Sequence, residues 1–148
     1  MIISSIYNNL ELKNNIDYLD GAILMVPFFA INYENNLDIE SAIEVLKKKN
    51  KLIILGIDKI SREKEFVDIK SFIEKYKDDN EILFYSSDLG IINLCMDLNI
   101  ISRLIYDPKT MITNTEDAKC YLDFNLNSLG ISNEITLDIP KEFKLKSR

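Results

Sequence analysis

The chain has 148 residues, of which 47% are hydrophobic, so it is long enough to bury one sizeable core. Its 18 basic and 24 acidic residues give a net charge of -6, which disfavours direct binding of nucleic acid. No run approaches the ~18 apolar residues that cross a membrane, and the two cysteines lack any paired-ligand spacing, so we expect a protein of the reducing cytoplasm.

The first half of the chain alternates strand-like runs with amphipathic ones. IISSI near the start predicts a strand, ELKNNIDYL a helix, and AILMV from Ala22 a strand covered on both faces. Asp38 is predicted to cap a helix in DIESAIEVLKKKN, because the lysines gather at the end that the helix dipole makes negative. LIILGI from Leu52 repeats the pattern of a buried strand.

The second half continues the alternation with shorter elements. EFVDIKSFIEKYK predicts a helix, and ILFYS from Ile82 predicts a strand. Asp88 and Asn114 each precede an apolar pattern of helical period and are predicted to cap a helix. RLIYD from Arg103 and SLGIS from Ser128 predict the last two strands.

About six strand–helix steps recur every ~20 to 30 residues, as βαβ units require. The sequence therefore predicts an α/β protein with parallel strands alternating with helices, in an incomplete (β/α) barrel of about six units. The alternative is an open, doubly wound, flavodoxin-like sheet. A closed barrel usually needs ~200 residues or more, so we expect edge strands that a second copy or a partner subunit covers. We expect one domain over residues 1–140 and a basic tail over 141–148.

Three pieces between Ser86 and Thr136 occur in the order SDLGIINL, LIYDPKTMITN and LNSLGISNEIT. This segment resembles the collagenase-like peptidases of unassigned catalytic type, peptidase family thirty-two, which includes tRNA uridine hydroxylation proteins. In that family an Asp-Leu-Gly turn opens a helix, a Thr-Asn pair opens the next, and a strand runs into a glutamate. The similar positions here are Asp88, Asn114 and Glu134.

The resemblance implies a (β/α) barrel with a peptidase-like or RNA-modifying role. Family members are usually longer, and several hold an iron–sulfur cluster in a later cysteine-rich region. Cys95 and Cys120 cannot supply four thiolates, so we expect no cofactor in this chain. A fragment, a shortened relative or one piece of a split barrel that acts with a partner chain is predicted, with a non-catalytic binding or self-assembling module as the alternative. LIILGIDKIS also resembles, more weakly, the strand-to-Asp turn of the glycerol-operon antiterminator barrels.

The candidate catalytic residues are carboxylates, because a chain without histidine has no Ser-His or Cys-His system and lacks the commonest zinc ligand. Asp58, Asp107 and Glu134 follow predicted strands, where a barrel places its acid–base groups. If they converge, their like charges would raise a pKa. Glu134 and Asp58 also have a simpler interpretation as solvated loop carboxylates, and no metal site is predicted.

The run YDPKTMITN supplies the candidate binding residues. Lys109 and Thr110 lie between a predicted strand and a predicted helix, where a lysine and backbone amides can hold a carboxylate or a phosphate. Asn114 and Asp88 at the helix starts complete the predicted binding set. In the alternative interpretation Asp107 only starts a turn and Asn114 only caps a helix.

Two groups of side chains can be explained by packing in the protein core. Cys95 and Cys120 are predicted on the apolar sides of their helices, so we expect packing and not reactivity. The aromatic residues Phe28, Phe29 and Tyr33 follow AILMV and either line a pocket, cover an edge or enter the core.

Overall fold

The computed structural model describes residues 1–31, 35–109 and 111–132. Within these ranges strands and helices alternate along the chain, with two short 3-10 helices between them. The strands are β1 (Ile3–Ile6), β2 (Gly21–Met25), β3 (Leu52–Ile57), β4 (Ile82–Ser86), β5 (Leu104–Tyr106) and β6 (Ser128–Leu129). The helices are α1 (Asn9–Asn15), α2 (Ile39–Lys48), α3 (Glu63–Tyr76), α4 (Leu89–Asp97) and α5 (Thr115–Leu122).

The strands follow one another in the sheet in chain order, β1-β2-β3-β4-β5-β6. The pairs β1–β2, β2–β3 and β5–β6 are parallel, with Ile3 opposite Gly21, Gly21 opposite Leu52 and Ile105 opposite Ser128. This is the order of successive units in a (β/α) barrel, and the sheet is open. The predicted parallel α/β fold is therefore confirmed.

Contacts divide the chain into two compact units, Met1–Tyr85 and Ser86–Arg148. The first unit contains β1, β2 and β3, and the second contains α4, β5, α5 and β6. The single domain over residues 1–140 stays a prediction, and the predicted basic tail lies outside the described residues. No helix in the described part of the chain is both long enough and apolar enough to cross a membrane.

The core of the first unit is built around β3. Ile53, Ile54 and Leu55 are each at most 1% exposed, so consecutive residues are buried although they point to opposite faces of the sheet. Leu46 of α2 and Leu24 of β2 are fully buried as well. The continuous aliphatic pattern of the sequence therefore corresponds to a strand covered on both sides.

The three predicted helix caps form as expected. Asp38 Oδ1 accepts a hydrogen bond from the backbone N–H of the third helical residue at 3.2 Å, and Asn114 Oδ1 does the same at 2.9 Å. Asp88 Oδ1 accepts from Gly90 N at 2.8 Å. Each cap satisfies a backbone donor that the first helical turn leaves without an internal partner.

Asparagine closes three of the helices in the conformation that glycine usually takes. Asn50, Asn99 and Asn125 have φ values of 52°, 57° and 66° just after α2, α4 and α5. After α2, Lys51 N donates to Leu46 O at 3.0 Å, the long bond of a Schellman motif. None of the four glycines has a positive φ, so in the described residues asparagine, which tolerates this region well, replaces glycine at these helix ends.

The two cysteines differ in environment, which corrects one prediction. Cys95 is fully buried, and its burial raises the pKa of the thiol to about 12, but Cys120 is exposed. The predicted apolar position is thus right for Cys95 and wrong for Cys120. The buried residue of α5 is Ala118, and a residue two positions further along a helix points to nearly the opposite side.

We expect the native protein to react with one equivalent of a thiol reagent such as dithionitrobenzoate near neutral pH. Cys120 supplies that equivalent, because Cys95 is both inaccessible and protonated. A second equivalent should react only after unfolding in guanidinium. Cys120→Ser should abolish the native reaction, and a native Cys120→Ser protein that still reacts would contradict the buried position of Cys95.

Candidate functional site

The candidate site lies in the second unit, where loops follow the C-terminal ends of the strands. Backbone hydrogen bonds join these loops: Asp107 N donates to Ser86 O at 2.9 Å, and Ser132 N donates to Ile112 O at 2.9 Å. Ser132 is 2% exposed. Because the loops are anchored to one another, side chains that they carry have defined positions at the edge where parallel α/β proteins bind ligands.

Asp107 and Lys109 form the charged centre of this site. Asp107 Oδ1 accepts a hydrogen bond from Lys109 N at 3.0 Å, and Asp107 Oδ2 lies 3.3 Å from Lys109 Nζ. The Asp107 side chain is 25% exposed and the Lys109 side chain 50%. An ion pair this accessible contributes at most ~1 kcal/mol to stability, so its main effect is to position the Lys109 ammonium near solvent, where a ligand group can reach it.

Gly130, just after β6, leaves the space that Asp107 occupies. A Cβ atom at Gly130 would lie 2.5 Å from Asp107 Oδ1 and 2.7 Å from Asp107 Cγ. The glycine backbone is fixed in place, since Gly130 N donates to Tyr106 O at 2.7 Å. The position of the Asp107 carboxylate therefore depends on the absence of a side chain at residue 130.

Lys109 has a φ of 62°, in the left-handed region that lysine rarely adopts. This conformation costs roughly 1 kcal/mol relative to a glycine there. The residue with this unfavourable conformation is also the one whose ammonium group lies beside the carboxylate of Asp107. Local strain of this kind concentrates at functional sites, which supports the prediction of Lys109 as a binding residue.

Tyr106 is a site residue that the sequence interpretation missed. It is 2% exposed at the end of β5, and its ring centroid lies 5.2 Å from that of Tyr121 on α5. Burial, followed by Tyr121, Asp88 and Asp107, raises the pKa of Tyr106 to about 12. The hydroxyl is therefore a permanent donor at neutral pH, and two predicted carboxylates act on this one group. The signal available in the sequence was the aromatic residue at the end of a strand directly before Asp107.

A second missed residue is Ser87, in the loop after β4. Its hydroxyl oxygen is buried and has no hydrogen-bond partner among the described residues. Most buried polar side-chain atoms in proteins are hydrogen-bonded. Ser87 therefore presents an uncommitted hydroxyl group next to Asp88.

The remaining predicted site residues separate into three cases. Asp88 and Asn114 act as helix caps, as the simpler interpretation expected. Asp58 lies in the first unit, where Oδ1 accepts from Ile31 N at 3.1 Å. Thr110 and Glu134 lie outside the described residues, so the convergence of Asp58, Asp107 and Glu134 stays a prediction. In the described ranges no three metal-ligating side chains come together.

The fold and these loops define a parallel α/β protein with an open sheet, its strands in chain order and polar side chains at their C-terminal ends. A family model described as Peptidase family U32 matches residues 28–147, which is most of the chain and includes every predicted site residue. The chain belongs to this family, which confirms the resemblance found in the sequence. Neither the curated proteins nor the solved structures include a match to the chain.

Proposed function

We propose that the chain is a partial (β/α) barrel of the collagenase-like peptidase type that binds a peptide at its strand-end loops and acts with a partner chain. Family membership supports the peptide as substrate class. The observation that carries the proposal is Lys109, held in a left-handed conformation beside the Asp107 carboxylate. In this proposal Lys109 and Thr110 hold a carboxylate or carbonyl oxygen of the peptide.

Acid–base chemistry in this proposal is assigned to Asp107, Glu134 and Asp58. A carboxylate can accept a proton from the attacking water and return it to the leaving amine. Tyr106 supports this role, because its protonated hydroxyl lies within electrostatic reach of Asp107. Ser87 adds an uncommitted hydroxyl group at the same edge of the second unit.

A partner subunit or a second copy of the chain is part of the proposal. In the described residues β1 pairs with β2 alone, so its other edge offers free backbone groups to another strand. A role in RNA modification would need this partner even more, because a net charge of -6 opposes binding of a polyanion without a basic surface from elsewhere. We place the complex in the cytoplasm.

A matched pair of lysine variants tests the proposal. The full chain, alone and copurified with the products of neighbouring reading frames, is incubated with an internally quenched collagen-type peptide. We expect Lys109→Ala to lower cleavage about tenfold or more, the usual effect of losing a charge-assisted hydrogen bond. Lys119→Ala is the control, because Lys119 is similarly exposed and paired with Glu116 on α5. Equal rates in both variants, or no cleavage in any combination, would contradict the proposal.

The second candidate is a non-catalytic binding or self-assembling module. The capping roles of Asp88 and Asn114 favour it, because these two predicted ligand-binding residues accept hydrogen bonds from helix starts instead. Light scattering and peptide titration distinguish the two candidates. Peptide binding without cleavage in a defined oligomer supports the module, and a monomer that binds no peptide contradicts both.

A further inference from the structure

Phe28, in the first unit, is exposed in an unusual backbone conformation. The segment Val26–Phe29 forms a turn in which Phe29 N donates to Val26 O at 3.1 Å and Pro27 takes the second position. Phe28 takes the third position with a φ of 69°, where glycine or asparagine is the usual residue. Its side chain is 88% exposed, so the ring gains almost nothing from packing within the described residues.

Phe28 differs in residue type from the residues that take the same backbone conformation at the helix ends of this chain. Three other left-handed positions, all at helix ends, carry asparagine. Asparagine would also satisfy the turn at residue 28 and would expose no apolar surface. Neither the stability nor the local geometry of the turn accounts for an aromatic side chain, whereas contact with another molecule does.

Two more exposed apolar residues lie on the loop of Phe28 and on the loop that is hydrogen-bonded to it. Ile31 is 61% exposed in the same loop, and Ile60 is 79% exposed in the loop after β3. Hydrogen bonds tie the two loops together: Lys59 N donates to Phe29 O at 3.2 Å, and Ile31 N donates to Asp58 Oδ1 at 3.1 Å. The three side chains are thus displayed from a preorganised backbone, which lowers the entropic cost of binding.

The charges around these side chains favour an apolar, uncharged occupant. The Lys59 ammonium is bound to Glu65 Oε1 at 2.6 Å, and Asp58 accepts from the backbone, so both groups already have partners inside the protein. With the chain at -6 overall, nothing in this arrangement favours a phosphate backbone. A peptide with a large hydrophobic side chain matches this arrangement in charge and in apolar character.

We propose that Phe28, Ile31 and Ile60 form an apolar docking patch for a hydrophobic side chain of a bound peptide. This inference rests on the peptide substrate of the proposed function and extends it to a preference for apolar residues. The patch lies in the loops after β2 and β3, at the strand ends where (β/α) proteins bind ligands. A docking role explains why an exposed phenylalanine occupies a left-handed backbone position that suits asparagine.

Backbone amide shifts of the ¹⁵N-labelled full chain test the patch directly. The probes are acetyl-Gly-Phe-Gly-amide and acetyl-Gly-Ser-Gly-amide, each titrated to about 10 mM because short peptides bind weakly. We expect saturable shifts at residues 28, 31 and 60 with the phenylalanine peptide alone. Phe28→Asn should weaken this binding about tenfold without lowering the thermal midpoint, since asparagine suits the turn.

Tyr18→Asn serves as the matched control, because Tyr18 is an exposed aromatic residue at 80%, just before β2 instead of after it. It should bind the phenylalanine peptide like the wild type. Equal binding by Phe28→Asn, or equal shifts with the serine peptide, would overturn the patch. Shifts that depend on protein concentration without peptide, or that appear with a single-stranded RNA oligomer, would overturn the peptide as occupant.

The test separates this inference from the function on which it rests. Specific shifts with the phenylalanine peptide in a chain that cleaves nothing would support the patch and leave cleavage contradicted. Cleavage that depends on Lys109 but is unchanged in Phe28→Asn, for peptides with and without phenylalanine, would support the function and overturn the patch.

Discussion

Leu55→Ala is expected to lower the free energy of unfolding of the first unit by about 2–5 kcal/mol, and Ile54→Ala by a similar amount. Consecutive strand residues point to opposite faces of a sheet. Leu55 is 0% and Ile54 1% exposed, so truncation on either face leaves a cavity in packed surroundings. Urea unfolding followed by circular dichroism measures both values.

Val67→Ala is the control for these two core variants. Val67 lies on α3 and is 69% exposed, so its truncation should change the free energy of unfolding by no more than about 0.5 kcal/mol. A loss below about 1 kcal/mol for Ile54→Ala, beside a full loss for Leu55→Ala, would mean that one face of β3 is open. In that case β3 would not be a strand packed on both sides.

The secondary structure was predictable because its causes are local in the sequence. AILMV and LIILGI are short continuous aliphatic runs, which suit a strand buried on both faces. Asp38, Asp88 and Asn114 accept hydrogen bonds from the first helical turns, a preference that the residue type alone conveys. These local signals also predicted that strands and helices alternate along the chain. That alternation in turn predicted a parallel sheet.

The geometry of the site was less predictable because it depends on contacts between elements. The pairing of Tyr106 on β5 with Tyr121 on α5 joins two separate elements, and no local pattern specifies such a contact. The positive φ values of Lys109 and Phe28 have no local signal, since neither residue type favours that region. The tertiary structure imposes these two positive φ values. They differ from the other three in the structure, which belong to asparagine residues at helix ends.

These two exceptions occur in equivalent places in the two units. Phe28 follows β2 and Lys109 follows β5, so both lie in strand-to-helix loops. The asparagines with positive φ lie in the opposite kind of connection, from helix to strand. Strain at the strand-to-helix loops is what a ligand-binding edge would produce, and it supports the assignment of apolar and ionic binding to these loops.

Gly130→Ala is expected to lower the free energy of unfolding by about 1–3 kcal/mol and to abolish peptide binding at Lys109. Gly130 does not have a positive φ, so its backbone can accept alanine. The added Cβ atom would lie 2.5 Å from Asp107 Oδ1, and the carboxylate must rotate away. Rotation breaks the hydrogen bonds that Lys109 N and Nζ donate to Asp107, so the lysine loses the two contacts that hold it beside the carboxylate.

A double-mutant cycle with Asp107→Ala identifies the clash as the cause. Once the carboxylate is removed, Gly130→Ala has little left to displace, so its cost in the Asp107→Ala background should fall to a few tenths of a kcal/mol. Peptide binding should stay lost in the double variant, because Asp107→Ala itself removes the carboxylate that positions Lys109. An equal cost of Gly130→Ala in both backgrounds would instead place the strain in the backbone of the loop and would separate Gly130 from the binding site.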